Sequence, residues 1–217
     1  MILAIDTATR WTALALHDGQ QIIAEYGWLS AQTQSMELAP AVARILQQGS
    51  VQAADLHAIG VSIGPGSYTG LRVGLGLAKG IALAYQIPLI GVPTLDIVAA
   101  GQAVCEGELI VVAEAGRSRI SSGRYQLIKG RWGPQGQPVN ETWEELLERI
   151  DPPLTITGEI SAAAQKQIRA ASRGFTVVPP AQRVRRAAIL AELSWRRLRR
   201  GRLDDPAALT PIYLREP

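Results

Sequence analysis

The sequence has 217 residues, of which 47% are hydrophobic and 19% charged, with a formal net charge of +3. This composition supplies a globular core for one large or two small domains. Because MILAID reaches an aspartate at position 6, we expect no secretory signal peptide. The longest apolar run, residues 80–95, is too short and too interrupted by proline and glycine to be expected to cross a bilayer.

The sequence contains one cysteine and two histidines. Cys105 is the only cysteine, so no internal disulfide can form, and a reducing, cytoplasmic location is expected. With only His17 and His57 besides, no plausible set of three nitrogen or sulfur ligands for zinc lies close together in the sequence. We therefore predict no metal site and a structural role for both histidines.

The first hundred residues predict a meander followed by alternating strands and helices. Apolar runs on either side of Asp18-Gly19, a strong hairpin signal, predict three antiparallel strands. Apolar residues at helical spacing with Gly49 as a stop predict helix one. The elements expected up to residue 100 are helix one at 34–48, a strand at 56–63, helix two from about 71 to 85, a strand and turn at 88–94, and a short helix at 94–100.

The second half continues the alternation, which predicts an α/β fold. Thr142 and Glu145 form a capping box ahead of a helix. The expected elements are strands at 107–115 and 122–130, a turn at 131–138, a helix at 143–150, a strand at 154–158, a helix at 161–171, a strand at 175–179 and an arginine-rich helix at 184–201. A boundary near residue 104 predicts one lobe at 1–104 and a second, with the arginine-rich helix, at 105–217.

Positive charge is concentrated in the arginine-rich helix. Eight of the 22 basic residues and one of the 19 acidic residues lie between Arg183 and Arg202. Four arginines fall near its end, where the helix dipole favours cations: Arg196, Arg197, Arg199 and Arg200. This pattern indicates either a solvated helix face or a contact with RNA phosphates or an acidic partner.

Helix two contains three glycines that weaken it. Gly74, Gly76 and Gly80 together cost about 3 kcal/mol of intrinsic helix propensity. The rest of the helix is apolar on nearly every side, which indicates burial on two faces. We expect one face to lie on the sheet and the other to contact a helix of a second subunit, with the glycines allowing close approach. The alternative is that the second lobe of the same chain covers this face.

The loop before helix two is rich in glycine and hydroxyl groups. GPGSYTG, residues 64–70, joins a strand to a helix, where backbone N–H groups can bind an anion. No Lys-Ser/Thr follows at the spacing of a phosphate-binding P-loop. The residues alone leave open a tight turn with Thr69 as the helix cap, or a phosphate cradle. Asp6 and Thr7, after the first strand, have the same two interpretations.

Four segments together resemble the TsaB (YeaZ) family of tRNA threonylcarbamoyladenosine biosynthesis proteins. They are MILAIDTAT at the N-terminus, DLHAIGVSIGPGSYTGLRVGLGLAKGIA at 55–82, PLIGVPTLDIVA at 88–99 and PIYLR at 211–215. The resemblance implies an actin-like ATPase fold, of the ribonuclease H-like class, with two βββαβα lobes. It also implies a non-catalytic partner of TsaD, which transfers a threonylcarbamoyl group to N6 of adenosine 37 in tRNA.

The resemblance further implies how the chain works. TsaD ligates its metal through a His-x-x-x-His pair, whereas Gln34 stands here where relatives carry histidine, so no metal, cofactor or catalytic residue is expected. Helices one and two would form a four-helix contact with TsaD, and TsaE and tRNA would join the complex. Without TsaD, the same helices would make a homodimer. The expected contact residues are Leu38, Val42, Ile45, Leu46, Leu71, Gly74, Leu75, Ala78 and Ile81.

Two alternatives to a scaffold remain open from the residues. The first is an enzyme with weak ATP binding or ATPase activity; otherwise any nucleotide site is vestigial. The residues concerned are Asp6, Thr7, Gly64, Gly66, Ser67, Thr69 and Gly70. The second alternative is a stand-alone tRNA-binding protein that uses the four arginines of the last helix.

Overall fold

The computed structural model describes residues 1–31, 33–104, 107–116 and 118–214. The chain divides into two compact units. The first combines Met1–Pro93 with Arg186–Ile212, and the second holds Thr94–Arg185 and the tail from Tyr213. In the described part of the chain, no helix is both long and apolar enough to span a membrane.

A five-stranded mixed sheet forms the centre of the first unit. Its strands are β1 (Ile2–Asp6), β2 (Trp11–His17), β3 (Ile22–Leu29), β4 (Ala58–Ser62) and β5 (Leu89–Val92). They lie in the order β3-β2-β1-β4-β5. Strand β2 is antiparallel to both β1 and β3, whereas β4 is parallel to both β1 and β5. The predicted meander is therefore confirmed, and β3 is an edge strand.

Helices cover both faces of this sheet. Helix α1 (Gln34–Gln48) and helix α2 (Tyr68–Tyr85) pack on one face, where Leu3, Ile5 and Ile59 join their buried side chains in one core. Helix α6 (Ala187–Arg199) packs on the other face. A Cβ at Gly60 of β4 would lie 2.2 Å from the Ser194 hydroxyl oxygen, so glycine permits this close approach.

The place of helix α6 corrects the predicted lobes. We expected the arginine-rich helix in a second lobe at 105–217, but it belongs to the first unit, as the third layer over the sheet. The first boundary also falls earlier than residue 104, after Pro93. A single cut along the sequence cannot describe a chain that returns to its first sheet after about 90 residues elsewhere.

The second unit is built on a six-stranded sheet. Its strands are β6 (Glu108–Gly116), β7 (Arg119–Ile128), β8 (Arg131–Pro134), β9 (Val139–Glu141), β10 (Leu154–Gly158) and β11 (Phe175–Val177). The order is β11-β10-β6-β7-β8, and β9 pairs with β7. Its helices are α3 (Thr94–Ala100), α4 (Trp143–Arg149) and α5 (Ala162–Ala171).

In the second unit, one local sequence prediction is confirmed and another is wrong in part. The predicted capping box forms, because Thr142 accepts from the Glu145 N–H and Glu145 accepts from the Thr142 N–H. The predicted turn at 131–138 was wrong in its first half, since Arg131–Pro134 pairs with β7 as strand β8. Pairing with a neighbouring strand outweighed the turn tendency of its glycine and proline.

Candidate functional site

The end of strand β1 is a closed turn. Asp6 and Thr7 have no exposed surface. One oxygen of the Asp6 carboxylate accepts a hydrogen bond of 3.0 Å from the Ala8 N–H. The Thr7 hydroxyl donates to the Gly70 carbonyl at 2.7 Å. Both side chains therefore hold the chain's own backbone in this region.

The glycine loop is pressed against that turn. A Cβ at Gly66 would lie 2.1 Å from the Ala8 carbonyl oxygen, and one at Gly70 would lie 2.2 Å from the Thr7 carbonyl oxygen. The Ser67 N–H donates to the Ala8 carbonyl at 2.6 Å. The glycines thus allow two backbone segments to touch, which favours the tight-turn interpretation over a phosphate cradle.

The residue that caps the N-terminus of helix α2 differs from the predicted one. Ser67, rather than Thr69, is the residue before α2, and its hydroxyl accepts from the Gly70 N–H at 3.2 Å. Thr69 is exposed in the first turn. The residues proposed as a nucleotide site do come together here, but Asp6, Thr7, Gly64 and Gly70 are buried.

Gln34 connects helix α1 to the same turn. It is 8% exposed, and its amide nitrogen donates to the Thr9 carbonyl at 2.7 Å and to the Thr12 hydroxyl at 2.8 Å. The Thr7 carbonyl lies 3.4 Å from the same nitrogen. This amide ties the start of α1 to the loop between β1 and β2. Among the described residues, no group of three histidine, cysteine, aspartate or glutamate side chains could hold a metal.

Gln34→Leu is expected to lower the free energy of unfolding by about 2 kcal/mol. Leucine has a similar size but leaves the Thr9 carbonyl and the Thr12 hydroxyl without their donor. Chemical denaturation checks this loss. The neighbouring Ser35→Ala, at an exposed position of the same turn, is the matched control and is expected to change little. Equal stability of Gln34→Leu and the native chain would contradict the role assigned to the amide.

The residues expected to contact a partner are mostly inside the chain's own core. Leu38, Val42, Ile45, Leu71, Leu75 and Ala78 are between 0% and 6% exposed. Gly74 is also buried, and a Cβ there would lie 2.1 Å from the Thr7 hydroxyl oxygen. Only Leu46 and Ile81 are half-buried. The seven buried residues are a correction, because they face the sheet rather than a second polypeptide.

A different set of residues on the helix pair faces outward. On α2, Gly76 and Gly80 are exposed, and a Cβ at either meets nothing within 4 Å. Leu83 is 64% exposed on α2, and Met36 is 70% exposed on α1. We define the outer face as the exposed residues Met36, Ala39 and Ala43 of α1 and Gly76, Gly80 and Leu83 of α2.

The spacing of the glycines in helix α2 contained a signal for the outer face that the sequence prediction missed. Gly76 and Gly80 are four residues apart, so they share a side of the helix. The buried set Leu71, Leu75, Ala78 and Ala82 follows the same periodicity on the opposite side. Because leucine and alanine occur on both sides, hydrophobicity alone did not show which side is buried.

Two of the four C-terminal arginines have partners within the first unit. Arg196 pairs with Glu192 one turn earlier, at 2.8 Å. Arg197 donates to the Gly91 carbonyl and lies 3.3 Å from the Asp204 carboxylate. Arg199 and Arg200 are exposed. Arg197 thus attaches the end of the helix to strand β5 and to the loop after the helix, whereas Arg196 pairs within its own helix.

The contacts of His17 support the fold. It is 3% exposed at the end of β2, and its Nδ1 accepts from the Gly19 N–H at 2.9 Å. Its Nε2 lies 3.2 Å from the Glu192 carboxylate. These contacts join the β2–β3 hairpin to helix α6. Cys105 and Arg215, which entered the sequence predictions, lie outside the described residues.

Comparison with known proteins identifies relatives along the whole chain. The family model described as TsaD: tRNA N6-adenosine threonylcarbamoyltransferase matches residues 20–191. The tRNA threonylcarbamoyladenosine biosynthesis protein TsaB of Bacillus subtilis is 32% identical over 99% of this chain and 93% of its own length. The TsaB of Escherichia coli is 39% identical over 46% of this chain and 43% of its own.

Solved structures share the fold. YeaZ from Pseudomonas aeruginosa superposes with a TM-score of 0.79 at 24% identity, over 98% of this chain and 99% of that one. The ethanolamine utilization protein EutJ from Carboxydothermus hydrogenoformans gives a TM-score of 0.51 at 11% identity, over 87% and 89% of the two chains. The predicted α/β fold is thus confirmed, and it is the fold of YeaZ.

Proposed function

Since the chain belongs to the TsaB (YeaZ) family of the tRNA threonylcarbamoyladenosine biosynthesis pathway, we propose that it is the non-catalytic subunit that docks on TsaD and activates it. In this proposal it acts in the cytoplasm, in a complex that also contains TsaE and tRNA. When TsaD is absent, two copies of the chain pair through the same surface.

The observation that supports docking is the outer face of the helix pair. Its side chains are small or apolar and exposed, although the same helices already bury a full apolar side against the sheet. An exposed apolar surface of this kind is typical of a protein contact. Gly76 and Gly80 present bare backbone, so a partner helix can approach α2 more closely than larger side chains would allow.

A non-catalytic role is supported by how the polar groups near β1 are used. The Asp6 carboxylate, the Thr7 hydroxyl and the Gln34 amide all hydrogen-bond to the chain's own backbone. A group that acts in catalysis has to reach a substrate or a reacting atom. In this arrangement these three side chains instead stabilise the turn on which α1 and α2 rest.

Reconstitution tests the proposal. The purified chain alone is expected to show no transfer to tRNA. Added to TsaD, TsaE and threonylcarbamoyl-AMP, it should raise the rate at least about tenfold, which corresponds to about 1.4 kcal/mol in the barrier. The modified nucleoside in digested tRNA is quantified by mass spectrometry.

Two results would contradict the assignment. Equal rates with and without the chain would remove its activating role. ATP turnover by the chain alone, abolished in Asp6→Asn, would favour the ATPase alternative, since Asp6 is the carboxylate among the residues that the sequence predicts for a nucleotide site.

A further inference from the structure

A groove lies between strand β3 and helix α1, on the side of α1 that carries Glu37 and Arg44. Its volume is about 830 Å³. Four consecutive strand residues, Glu25 to Trp28, form one wall. The helix contributes Met36, Glu37, Pro40, Ala41 and Arg44. The Tyr26 and Trp28 side chains and Ala41 pack on the core below, so much of the lining is apolar.

The strand that forms this groove is an open edge. Strand β3 is the last in its sheet and pairs only with β2 among the described strands. An edge strand carries backbone N–H and C=O groups that point away from the sheet and can pair with another strand. Edges are usually protected by proline, lysine or a short length. Strand β3 has eight residues, IIAEYGWL, and contains neither of these residue types.

The two acidic groups in the groove already have donors. The Glu25 carboxylate pairs with Arg186 and also accepts from the Ala188 N–H at 2.9 Å. Glu37 accepts from the Thr33 hydroxyl and from the Trp28 indole N–H at 2.9 Å. The hydroxyl of Thr33 and then the Trp28 indole hold the pKa of the Glu37 carboxyl below its usual value.

Arg44 is the charged lining residue that stays unpaired. Its side chain is exposed and has no ion pair or hydrogen bond with any residue that the structure describes. Arg44 lies seven residues from Glu37, about 10 Å along the helix axis. This distance exceeds the screening length at physiological salt, so the Glu37 charge repels an acid bound at Arg44 only weakly.

We propose that the groove takes an extended segment of a partner protein as a sixth strand beside β3, with an apolar side chain in the groove and a carboxylate on Arg44. The open backbone of β3 favours a strand over a helix, because a strand alone can satisfy the edge N–H and C=O groups. The aromatic lining selects the apolar residue, and Arg44 selects the acid. The groove shares Met36 with the outer face, but its strand wall and Arg44 are not part of the contact with TsaD proposed above.

A displayed library of ten-residue peptides provides the probe. The full chain and its Arg44→Glu variant are used as targets, with Arg169→Glu, at an exposed position of α5, as the matched charge control. Peptides selected on the native chain are expected to alternate apolar and polar residues and to contain an acid. Synthetic copies should bind Arg44→Glu at least about fivefold more weakly and Arg169→Glu equally well.

Hydrogen exchange gives the second readout. A bound strand should slow exchange of the outward-facing amides of β3, whereas a peptide bound elsewhere leaves them unchanged. A selected pattern with helical spacing, equal binding to Arg44→Glu, or unprotected β3 amides would each overturn the proposal. Protection of β3 on concentrating the chain alone would assign the groove to a second copy and overturn it as well.

Discussion

Gly80→Leu is expected to weaken binding to TsaD at least about 100-fold while the isolated chain stays folded. A Cβ at Gly80 meets nothing within 4 Å, so leucine fits on the free helix and improves its helix propensity. In a contact where helix backbones approach closely, the same side chain prevents docking at a cost of about 3 kcal/mol. Calorimetric titration of TsaD with the variant measures the loss, and denaturation verifies the fold.

The matched control for Gly80→Leu is Ala170→Leu on helix α5. It adds a leucine at an exposed helix position of the second unit, which is not part of the outer face. We expect its affinity for TsaD to equal that of the native chain. Should Gly80→Leu also bind normally, the outer face would lose its role as the docking surface. Light scattering of both variants shows in addition whether the homodimer uses this face.

Gly70→Ala is expected to destabilise the chain by about 3 kcal/mol. The added Cβ would lie 2.2 Å from the Thr7 carbonyl oxygen and 2.9 Å from the Gln34 amide oxygen. A backbone carbonyl cannot rotate away as a side chain can, so the turn after β1 has to move from α2. That movement also disturbs the bond between the Thr7 hydroxyl and the Gly70 carbonyl.

Gly76→Ala separates this effect from helix propensity. It is the same substitution in the same helix, but its Cβ enters open space. It should therefore stabilise the chain by about 1 kcal/mol, the difference between glycine and alanine in a helix. Urea denaturation of both variants is the measurement. A stability for Gly70→Ala at or above that of Gly76→Ala would show that the close contact with Thr7 carries no energy.

The glycines of helix α2 show which features of the site could be predicted from the sequence and which could not. Their intrinsic cost predicted that a compensating contact exists, and the prediction assigned all three glycines to the same contact. In the structure Gly74 lies against Thr7 of the same chain, whereas Gly76 and Gly80 are open. The sequence does not distinguish a glycine that packs against the same chain from a glycine that faces solvent.

Signals confined to a few neighbouring residues were sufficient for the elements. The Asp18-Gly19 turn, the stop at Gly49 and the capping box at Thr142 each act through hydrogen bonds or backbone angles within four or five residues. Such interactions form in the same way in many tertiary settings. The sequence by itself therefore determined the meander, both helices of the pair, the alternation of strands and helices, and the α/β class.

Contacts between distant parts of the chain were decided only by the tertiary structure. Helix α2 is apolar on nearly all sides, so its periodicity does not show which side meets the sheet, and packing against Thr7 and the core selects that side. Helix α6 returns to the first sheet through Gly60 and Ser194, which are 134 positions apart. Close packing depends on the shapes of both surfaces at once, and one strand or helix read alone describes only one of them.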